Sequence, residues 1–168
     1  MTIRFTLLAF AASLLTSVAL ASPAPVVGIT SLSEMATPPA RPYDPTANAK
    51  VQLADAQARA RRSGKRLLID LGGNWCPDCR ILAGFMARSE VAAFVAAHYE
   101  VVMIDIGHMD RNLDIPRRYG VNNLVGVPSV LIVDRKGRLV DAGHTAALSD
   151  ARSMTPQALA EWLARWTN

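Results

Sequence analysis

The chain has 168 residues, of which 51% are hydrophobic and 19% are charged, and only two of them are cysteine. This composition is typical of a globular protein and excludes a disordered tail, a collagen and a small protein stapled by disulfides. The formal net charge of +4 is too small to indicate a nucleic-acid-binding protein. The length predicts a single domain.

The N-terminus has the pattern of an export signal. A short positive start over residues 1–4 precedes an apolar stretch from Phe5 to Leu20, and Ala19-Leu20-Ala21 is a small-x-small cleavage sequence. The apolar stretch is shorter than the roughly 20 residues that a transmembrane helix needs, although an uncleaved anchor is the alternative interpretation. We therefore expect a signal peptide over residues 1–21 and a mature protein that is periplasmic or otherwise exported, in a compartment where disulfides form and persist.

The mature chain divides into an arm and a domain. Residues 22–42 are rich in proline and show no periodicity, which predicts a flexible N-terminal arm. The thiol-containing domain is expected over residues 43–168. Asp44 and Pro45 are typical of the N-cap and the first residue of a helix, which Ser63-Gly64 would end.

The pattern after this helix predicts a βαβ unit. An apolar run over residues 65–71 predicts a buried strand, a helix follows, and a second apolar run over residues 99–106 predicts a strand parallel to the first. Residues 129–133 and 139–142 predict an antiparallel hairpin, and the last helix is expected to start at Thr155. The order of elements therefore predicts an α/β fold with a mixed central sheet flanked by helices.

Two cysteines lie between the first strand and the following helix. Their spacing places Cys76 at the helix N-terminus, where free N–H groups and the helix dipole stabilise a thiolate. Cys79 lies one turn along, close enough to attack a mixed disulfide that Cys76 has formed. The Asp78 carboxylate opposes a charge on Cys76. We therefore expect a moderate lowering of the Cys76 pKa and a reducing or isomerase-like pair.

Asp70 is a second unusual residue, because it interrupts the apolar run of the first strand. A buried carboxylate is costly and has a raised pKa unless it is paired. Asp70 precedes Cys76 by six residues, so we expect it to accept the proton of Cys79 when Cys79 attacks the mixed disulfide. A solvated position at a strand edge is the alternative.

Two other uses of the cysteine pair are open. A zinc site needs two more ligands, and three histidines are available, none of them at helical partner spacing: His98, His108 and His144. A purely structural disulfide would close too short a loop to constrain the unfolded chain much. We therefore expect redox chemistry at the cysteines, without a metal or an organic cofactor.

The sequence resembles the thioredoxin superfamily over residues 44–166. The resemblance depends on a strand followed by Trp75-Cys76-Pro77-Asp78-Cys79 and a helix, and on Gly126-Val127-Pro128 before a later strand. The stretch from Gly73 to Arg80 is particularly similar to exported bacterial thioredoxin-like proteins, which include the C-terminal thiol domain of the transmembrane reductant conductor. The resemblance implies a thioredoxin fold, with Cys76 as the attacking cysteine and Cys79 as the buried resolving cysteine.

The resemblance also assigns roles to other residues. It implies that Asp70 is the family's buried acid and that Pro128 is the loop proline, which in the family is cis and faces the cysteines. Val127 would offer backbone hydrogen bonds to an extended substrate segment, and Trp75 would form part of the docking surface. The sequence also departs from the family. Pro77-Asp78 replaces the usual Gly-Pro, and an apolar residue, Val101, replaces a lysine near the buried acid. The connection over residues 119–128 is longer than in small thioredoxins, and the segment over residues 107–112 is unusual.

The sequence thus predicts a thiol–disulfide oxidoreductase that exchanges the Cys76–Cys79 pair with protein substrates in the reducing direction. Electrons would come from another dithiol protein, and nothing indicates an obligate oligomer, so we expect a monomer. A thioredoxin-like carrier, whose cysteines bind a metal as soft ligands or escort a partner, is the alternative.

Overall fold

The computed structural model describes residues 21–36 and 41–168. The predicted signal peptide over residues 1–21 lies, apart from Ala21, outside the described residues. The described residues hold one three-stranded sheet and five α-helices, together with short 3₁₀-helices at Leu32–Glu34 and Ala151–Ser153.

The sheet has the order β2-β1-β3. The central strand β1 (Arg66–Gly72) is parallel to β2 (Tyr99–Asp105) and antiparallel to β3 (Ser129–Val133). Residues of β1 are buried from Leu67 to Gly72, because both faces and both edges of this strand are covered. The predicted βαβ unit and mixed sheet are therefore confirmed.

The helices form a layer on each face of the sheet. Their bounds are α1 (Ala49–Ser63), α2 (Pro77–Met86), α3 (Ser89–His98), α4 (Asp114–Arg117) and α5 (Pro156–Arg165). Leu53 and Ala56 of α1 belong to one hydrophobic cluster with one side of the sheet, and α2, α3 and α5 contribute to a second cluster with the other side. Among the described residues, no single helix has the length and hydropathy of a membrane span, and α2 and α3 reach them only together, across an 84° bend.

The start of α1 differs from the prediction. The helix begins at Ala49, and its N-cap is Asn48, whose side chain accepts hydrogen bonds from the backbone of Lys50 and Val51. The side chain of Asp44 instead accepts from the backbone N–H and the hydroxyl of Thr46, at 2.8 and 2.6 Å. Asp44 therefore closes a local turn, which competes with a helix start at that position.

The prediction of a second hairpin strand is also wrong, because residues 139–142 make only one antiparallel bridge, between Leu139 and Val133. The Val140 N–H still donates to the Ile132 carbonyl, at 2.9 Å. The Ile132 N–H, however, donates to the Asp141 side chain, with 2.9 Å between N and Oδ1. Since a carboxylate takes the place of the backbone acceptor, strand pairing stops after the bridge.

Part of the predicted flexible arm packs against the domain. The Ser22 N–H donates to the Thr167 hydroxyl at 2.8 Å, and the Gln157 side chain of α5 bonds the backbone at Pro25 and Val27. The arm also places partly buried apolar side chains on the cluster that includes α5, namely Ala24, Val27, Leu32 and Met35. Residues 22–36 therefore cover apolar surface of the domain instead of extending from it.

The role of Asp141 at the end of the sheet is testable with two substitutions. Burial raises the pKa of Asp141 to about 6, so Asp141→Asn removes a costly charge and keeps an oxygen that accepts the Ile132 N–H. Asp141→Ala leaves that buried N–H without its acceptor, which costs about 1–3 kcal/mol. In urea denaturation at pH 7, we expect the Ala variant to be less stable than the Asn variant by that amount. Equal stability of the two variants would contradict this role.

Candidate active site

The sulfur of Cys76 caps the N-terminus of α2. After β1 ends at Gly72, a short turn brings Cys76 to the N-cap position, in extended backbone conformation (φ −82°, ψ 118°). Its Sγ accepts the backbone N–H of Cys79 at 3.2 Å. Pro77 occupies the first helical position, where an N–H would have no partner within the helix. The geometry is the one that the cysteine spacing predicted.

The two thiols differ in acidity. Hydrogen bonds from the side chain and the backbone of Cys79 lower the pKa of Cys76 to about 7, against burial and the nearby Asp78 charge. The hydrogen bond to Cys76, together with burial, raises the pKa of the Cys79 thiol. Cys76 therefore ionises first, and Cys79 keeps its proton in the reduced protein.

Asp78 is buried, and its charge is compensated by a partner from a distant part of the chain. Arg152, in the 3₁₀-helix before α5, donates its backbone N–H to Asp78 Oδ1 at 2.9 Å and its Nε to both carboxylate oxygens, and Nη2 also bonds Oδ2. The sequence indicates the opposing charge of Asp78 but not this partner, which lies 74 residues away. The ion pair weakens the repulsion between Asp78 and a Cys76 thiolate.

The loop before β3 lies against Cys76. The peptide bond between Val127 and Pro128 is cis, and the Cys76 thiol donates to the Val127 carbonyl with 3.4 Å between Sγ and O. Gly126 has no room for a side chain, since an added Cβ would lie 2.8 Å from Cβ of Ser149. The loop thus brings the Val127 carbonyl to Cys76.

Trp75 presents an exposed aromatic surface next to Cys76. Its side chain is 47% exposed, its indole N–H donates to the Gly107 carbonyl at 2.7 Å, and its ring stacks on His108 with 4.8 Å between centroids. Val125, in the loop that leads to Pro128, is 84% exposed. An apolar surface therefore lies on both chain segments that reach Cys76.

Asp70 is fully buried, so the alternative of a solvated strand edge is wrong. Its Oδ1 accepts the Tyr43 hydroxyl at 2.8 Å, and its Oδ2 is without a hydrogen-bond partner. Burial raises the pKa of Asp70 to about 7, although the bond from Tyr43 lowers it. The strand register places Met103 opposite Asp70, whereas Val101 lies opposite Leu68. The apolar residue at the expected lysine position is therefore Met103.

Sequence reasoning missed Tyr43 and Arg152. Tyr43 is buried beside Asp70, and only its position just before a predicted helix start distinguishes it in the sequence. Arg152 lies in an irregular segment without periodicity. No local pattern links either residue to the cysteines, because both contacts are made by folding of distant segments.

Each of the three histidines of the sequence packs against an aromatic ring. In residues 21–36 and 41–168, no three His, Cys, Asp or Glu side chains converge on a point where they could hold a metal ion. His98 packs on Phe94 at the end of α3, and His144 packs on Trp166.

The acidity of Cys76 and the effect of Arg152 predict a pattern of alkylation. In the reduced protein, the rate at which iodoacetamide modifies Cys76 should rise with pH through an inflection near 7. Arg152→Ala leaves the Asp78 charge unpaired, so we expect the inflection to move to higher pH by about half a pH unit and the rate at pH 7 to fall by roughly 1.5-fold to threefold.

Arg138→Ala is the matched control, because it removes the same charge from an exposed ion pair with Asp134. An alkylation profile of the Arg152→Ala variant identical to that of the control would contradict the role of Arg152.

The buried Asp70 predicts how stability depends on pH. Because its folded pKa is raised above the value of about 4 in an unfolded chain, the unfolded state loses this proton first as the pH rises. The stabilising effect of a neutral Asp70 is complete below pH 4 and is lost between pH 4 and 7. Asp70→Asn keeps the acceptor for Tyr43 and removes the charge, so the variant should exceed the wild type by about 2–4 kcal/mol in free energy of unfolding at pH 8.

Urea denaturation of both reduced proteins at pH 4 and pH 8 measures this difference. It should be small at pH 4. The assignment fails when the variant and the wild type differ equally at both values of pH.

Comparison with known proteins places the chain in a family. A family model described as thioredoxin-like matches residues 47–135. The disulphide isomerase from Xylella fastidiosa Temecula1 is 36% identical, with 76% of this chain and 97% of that chain covered and a TM-score of 0.71. No curated protein matches the chain.

Two more distant structures are similar at TM-scores below 0.5. A DsbH oxidoreductase is 21% identical over 51% of this chain and 65% of its own (TM-score 0.41). Thioredoxin from Wuchereria bancrofti is 20% identical over 64% of this chain and 85% of its own (TM-score 0.38). The family model spans more than half of the chain, and the Xylella structure covers three quarters of it. The protein therefore belongs to the thioredoxin-like family, and the predicted thioredoxin fold is confirmed.

Proposed function

We propose that the protein is an exported thiol–disulfide oxidoreductase that reduces disulfides of protein substrates. The observation that carries this proposal is the position of the Cys76 sulfur, which caps α2, accepts the Cys79 N–H and faces the Val127 carbonyl before Pro128. The similarity to a structure described as a disulphide isomerase supports the same chemistry.

The reaction uses the two cysteines in turn. The Cys76 thiolate attacks one sulfur of a substrate disulfide, so that a Cys76–substrate bond forms and the other substrate sulfur leaves as a thiolate. Cys79 then attacks the Cys76 sulfur, which forms the Cys76–Cys79 disulfide and releases the second substrate thiolate. Two electrons pass from the protein to the substrate, and a dithiol protein must return them.

The surface around Cys76 fits an extended protein segment. Trp75 and Val125 offer apolar area on the two segments that reach the cysteine. The backbone of Val127 lies against the cysteine from the other side, where it can pair with a substrate backbone in the manner of an added strand. Binding through backbone groups suits an enzyme that accepts several protein disulfides.

The moderate acidity of Cys76 favours the reducing direction. A strongly stabilised thiolate, with a pKa near 3.5, makes a reduced pair so stable that the protein becomes an oxidant, whereas a pKa near 7 accompanies reducing members of the fold. The Cys76 pKa of about 7 belongs to the second group. Asp78 keeps the thiolate from greater stabilisation, and its pairing with Arg152 limits that effect.

An exported location follows from the predicted signal peptide over residues 1–21, which ends in Ala-x-Ala. In the cell envelope, client proteins carry disulfides that need reduction or rearrangement. The proposed partners are therefore these clients and an upstream dithiol protein that keeps Cys76 and Cys79 reduced.

Two cysteine variants test the function. Cys76→Ser should abolish reduction of insulin disulfides, because the attacking sulfur is lost. Cys79→Ser should leave the attack intact and prevent resolution, so that mixed disulfides with envelope proteins accumulate and can be isolated by non-reducing electrophoresis.

The two variants serve as controls for each other, since each replaces one sulfur by an oxygen within the same turn. A wild-type protein that reduces no disulfide, with no partner trapped by Cys79→Ser, would falsify the proposal. Copper or zinc bound in stoichiometric amount to such an inactive protein would favour the carrier function instead.

A further inference from the structure

The hydroxyl of Tyr43 lies between the buried carboxylate and the resolving thiol. It donates to Asp70 Oδ1 at 2.8 Å and lies beside the Cys79 sulfur, on the open side of Gly72. Tyr43 is 1% exposed, and Asp70 and Cys79 are fully buried. The three groups therefore form a chain of polar atoms inside the protein.

Gly72 leaves the space in which these groups meet. A Cβ added at Gly72 would lie 2.5 Å from the Tyr43 hydroxyl oxygen and 2.7 Å from the Cys79 sulfur, so both atoms occupy the volume that any other residue would fill. Gly72 is the last residue of β1. The end of the central strand is thus built around the contact between the hydroxyl and the thiol.

Asn74 holds the backbone of Tyr43 in place. The Asn74 side chain accepts the Tyr43 N–H at 3.0 Å and donates to the Tyr43 carbonyl at 2.9 Å. Asn74 belongs to the turn between β1 and Cys76. These two hydrogen bonds therefore connect the segment before α1 to the turn that leads to the cysteines. The position of the hydroxyl is therefore fixed relative to Cys79.

We propose that Tyr43 is a catalytic residue that relays the proton of Cys79 to Asp70 when the mixed disulfide is resolved. The inference rests on the proposed thiol–disulfide exchange and names the path of one proton in its second step. Asp70 makes no direct hydrogen bond to Cys79, because its Oδ1 accepts the Tyr43 hydroxyl and its Oδ2 has no hydrogen-bond partner. The hydroxyl connects the two groups.

The relay conserves every atom. Cys79 gives its thiol proton to the Tyr43 oxygen while Tyr43 gives its own proton to Asp70 Oδ1, so the tyrosine is unchanged and Asp70 becomes a neutral acid. The Cys79 thiolate attacks the Cys76 sulfur, the Cys76–Cys79 bond forms, and the bond from Cys76 to the substrate breaks. The substrate sulfur leaves with the electron pair of that bond.

The Tyr43 hydroxyl keeps its hydrogen bonds both before and after the proton transfer. Before transfer, the tyrosine donates to the Asp70 carboxylate; after transfer, the Asp70 acid donates to the tyrosine, which donates to the thiolate. Burial raises the pKa of Asp70 to about 7, which makes it a base suited to neutral pH. Burial also raises the pKa of Tyr43, so the hydroxyl passes a proton without becoming a stable phenolate.

Tyr43→Phe tests the relay, because it keeps the buried ring and removes only the hydroxyl. Reduced protein is mixed with excess glutathione disulfide and quenched in acid at successive times, and mass spectrometry separates the reduced, mixed-disulfide and internally oxidised forms. We expect formation of the mixed disulfide at the wild-type rate, and its decay to the internal disulfide to slow by about 10- to 100-fold.

The pH profile separates a relay from a packing effect. Asp70 faces the titratable side chains of Tyr43, Cys76 and Cys79, and Cys76 does not titrate in the mixed disulfide. The wild-type decay should therefore rise through an inflection near pH 7 that Tyr43→Phe and Asp70→Asn both lose. The double variant should be no slower than the slower single variant, because both residues act on one path.

Tyr99→Phe is the matched control, since its hydroxyl is also buried and donates to the Leu163 carbonyl at 2.6 Å, in another part of the protein. It should resolve the mixed disulfide at the wild-type rate. Decay in Tyr43→Phe with the wild-type rate and pH profile, or an equal slowing of both steps, would overturn the relay.

A measurement on the wild type covers the case in which Tyr43→Phe does not fold. The decay rate in mixtures of light and heavy water should curve with the deuterium fraction, because two protons move in one step; a linear dependence would contradict the relay. If the wild type forms no mixed disulfide, the proposed oxidoreductase function is wrong. If it forms the mixed disulfide but shows a linear dependence, only the relay is wrong.

Discussion

The capping of α2 by the Cys76 sulfur is the interaction on which the rest of the site depends. A helix start leaves N–H groups without backbone partners, and here one of them, from Cys79, points at the sulfur. The hydrogen bonds from the side chain and the backbone of Cys79 together make Cys76 the more acidic thiol, and they place Cys79 within reach of it. Without this cap, the Cys76 thiolate would lose one of the hydrogen bonds that lower its pKa.

The central strand gathers the remaining parts of the site. β1 carries Asp70 near its end, stops at Gly72, and passes through a four-residue connection into α2, so the acid and both thiols come from one stretch of chain. Three other segments then close on this stretch. Tyr43 reaches Asp70, Val127 reaches Cys76, and Arg152 reaches Asp78. The short stretch supplies the reactive groups, and the distant segments supply polar contacts to them.

The division between local and distant contacts explains what could be predicted from sequence. Apolar periodicity, a turn and a proline at a first helical position are local signals, and they located β1, α2 and the capping thiol correctly. Tyr43 and Arg152 act across 27 and 74 residues, and no periodic pattern reports such contacts. The errors at Asp44 and over residues 139–142 have a related cause, because in both places an aspartate side chain bonds a backbone N–H and replaces the expected helix start or strand.

The reduction potential of the Cys76–Cys79 pair depends on the stability of the capped thiolate, so its value shows whether that stability is moderate. Equilibration of the purified protein with glutathione buffers, followed by alkylation and mass analysis, measures it. We expect a value between about −180 and −270 mV, in the range of isomerases and thioredoxin. A value near −120 mV would contradict the account, because it requires a thiolate far more stable than one helix N–H and a partly opposing Asp78 provide.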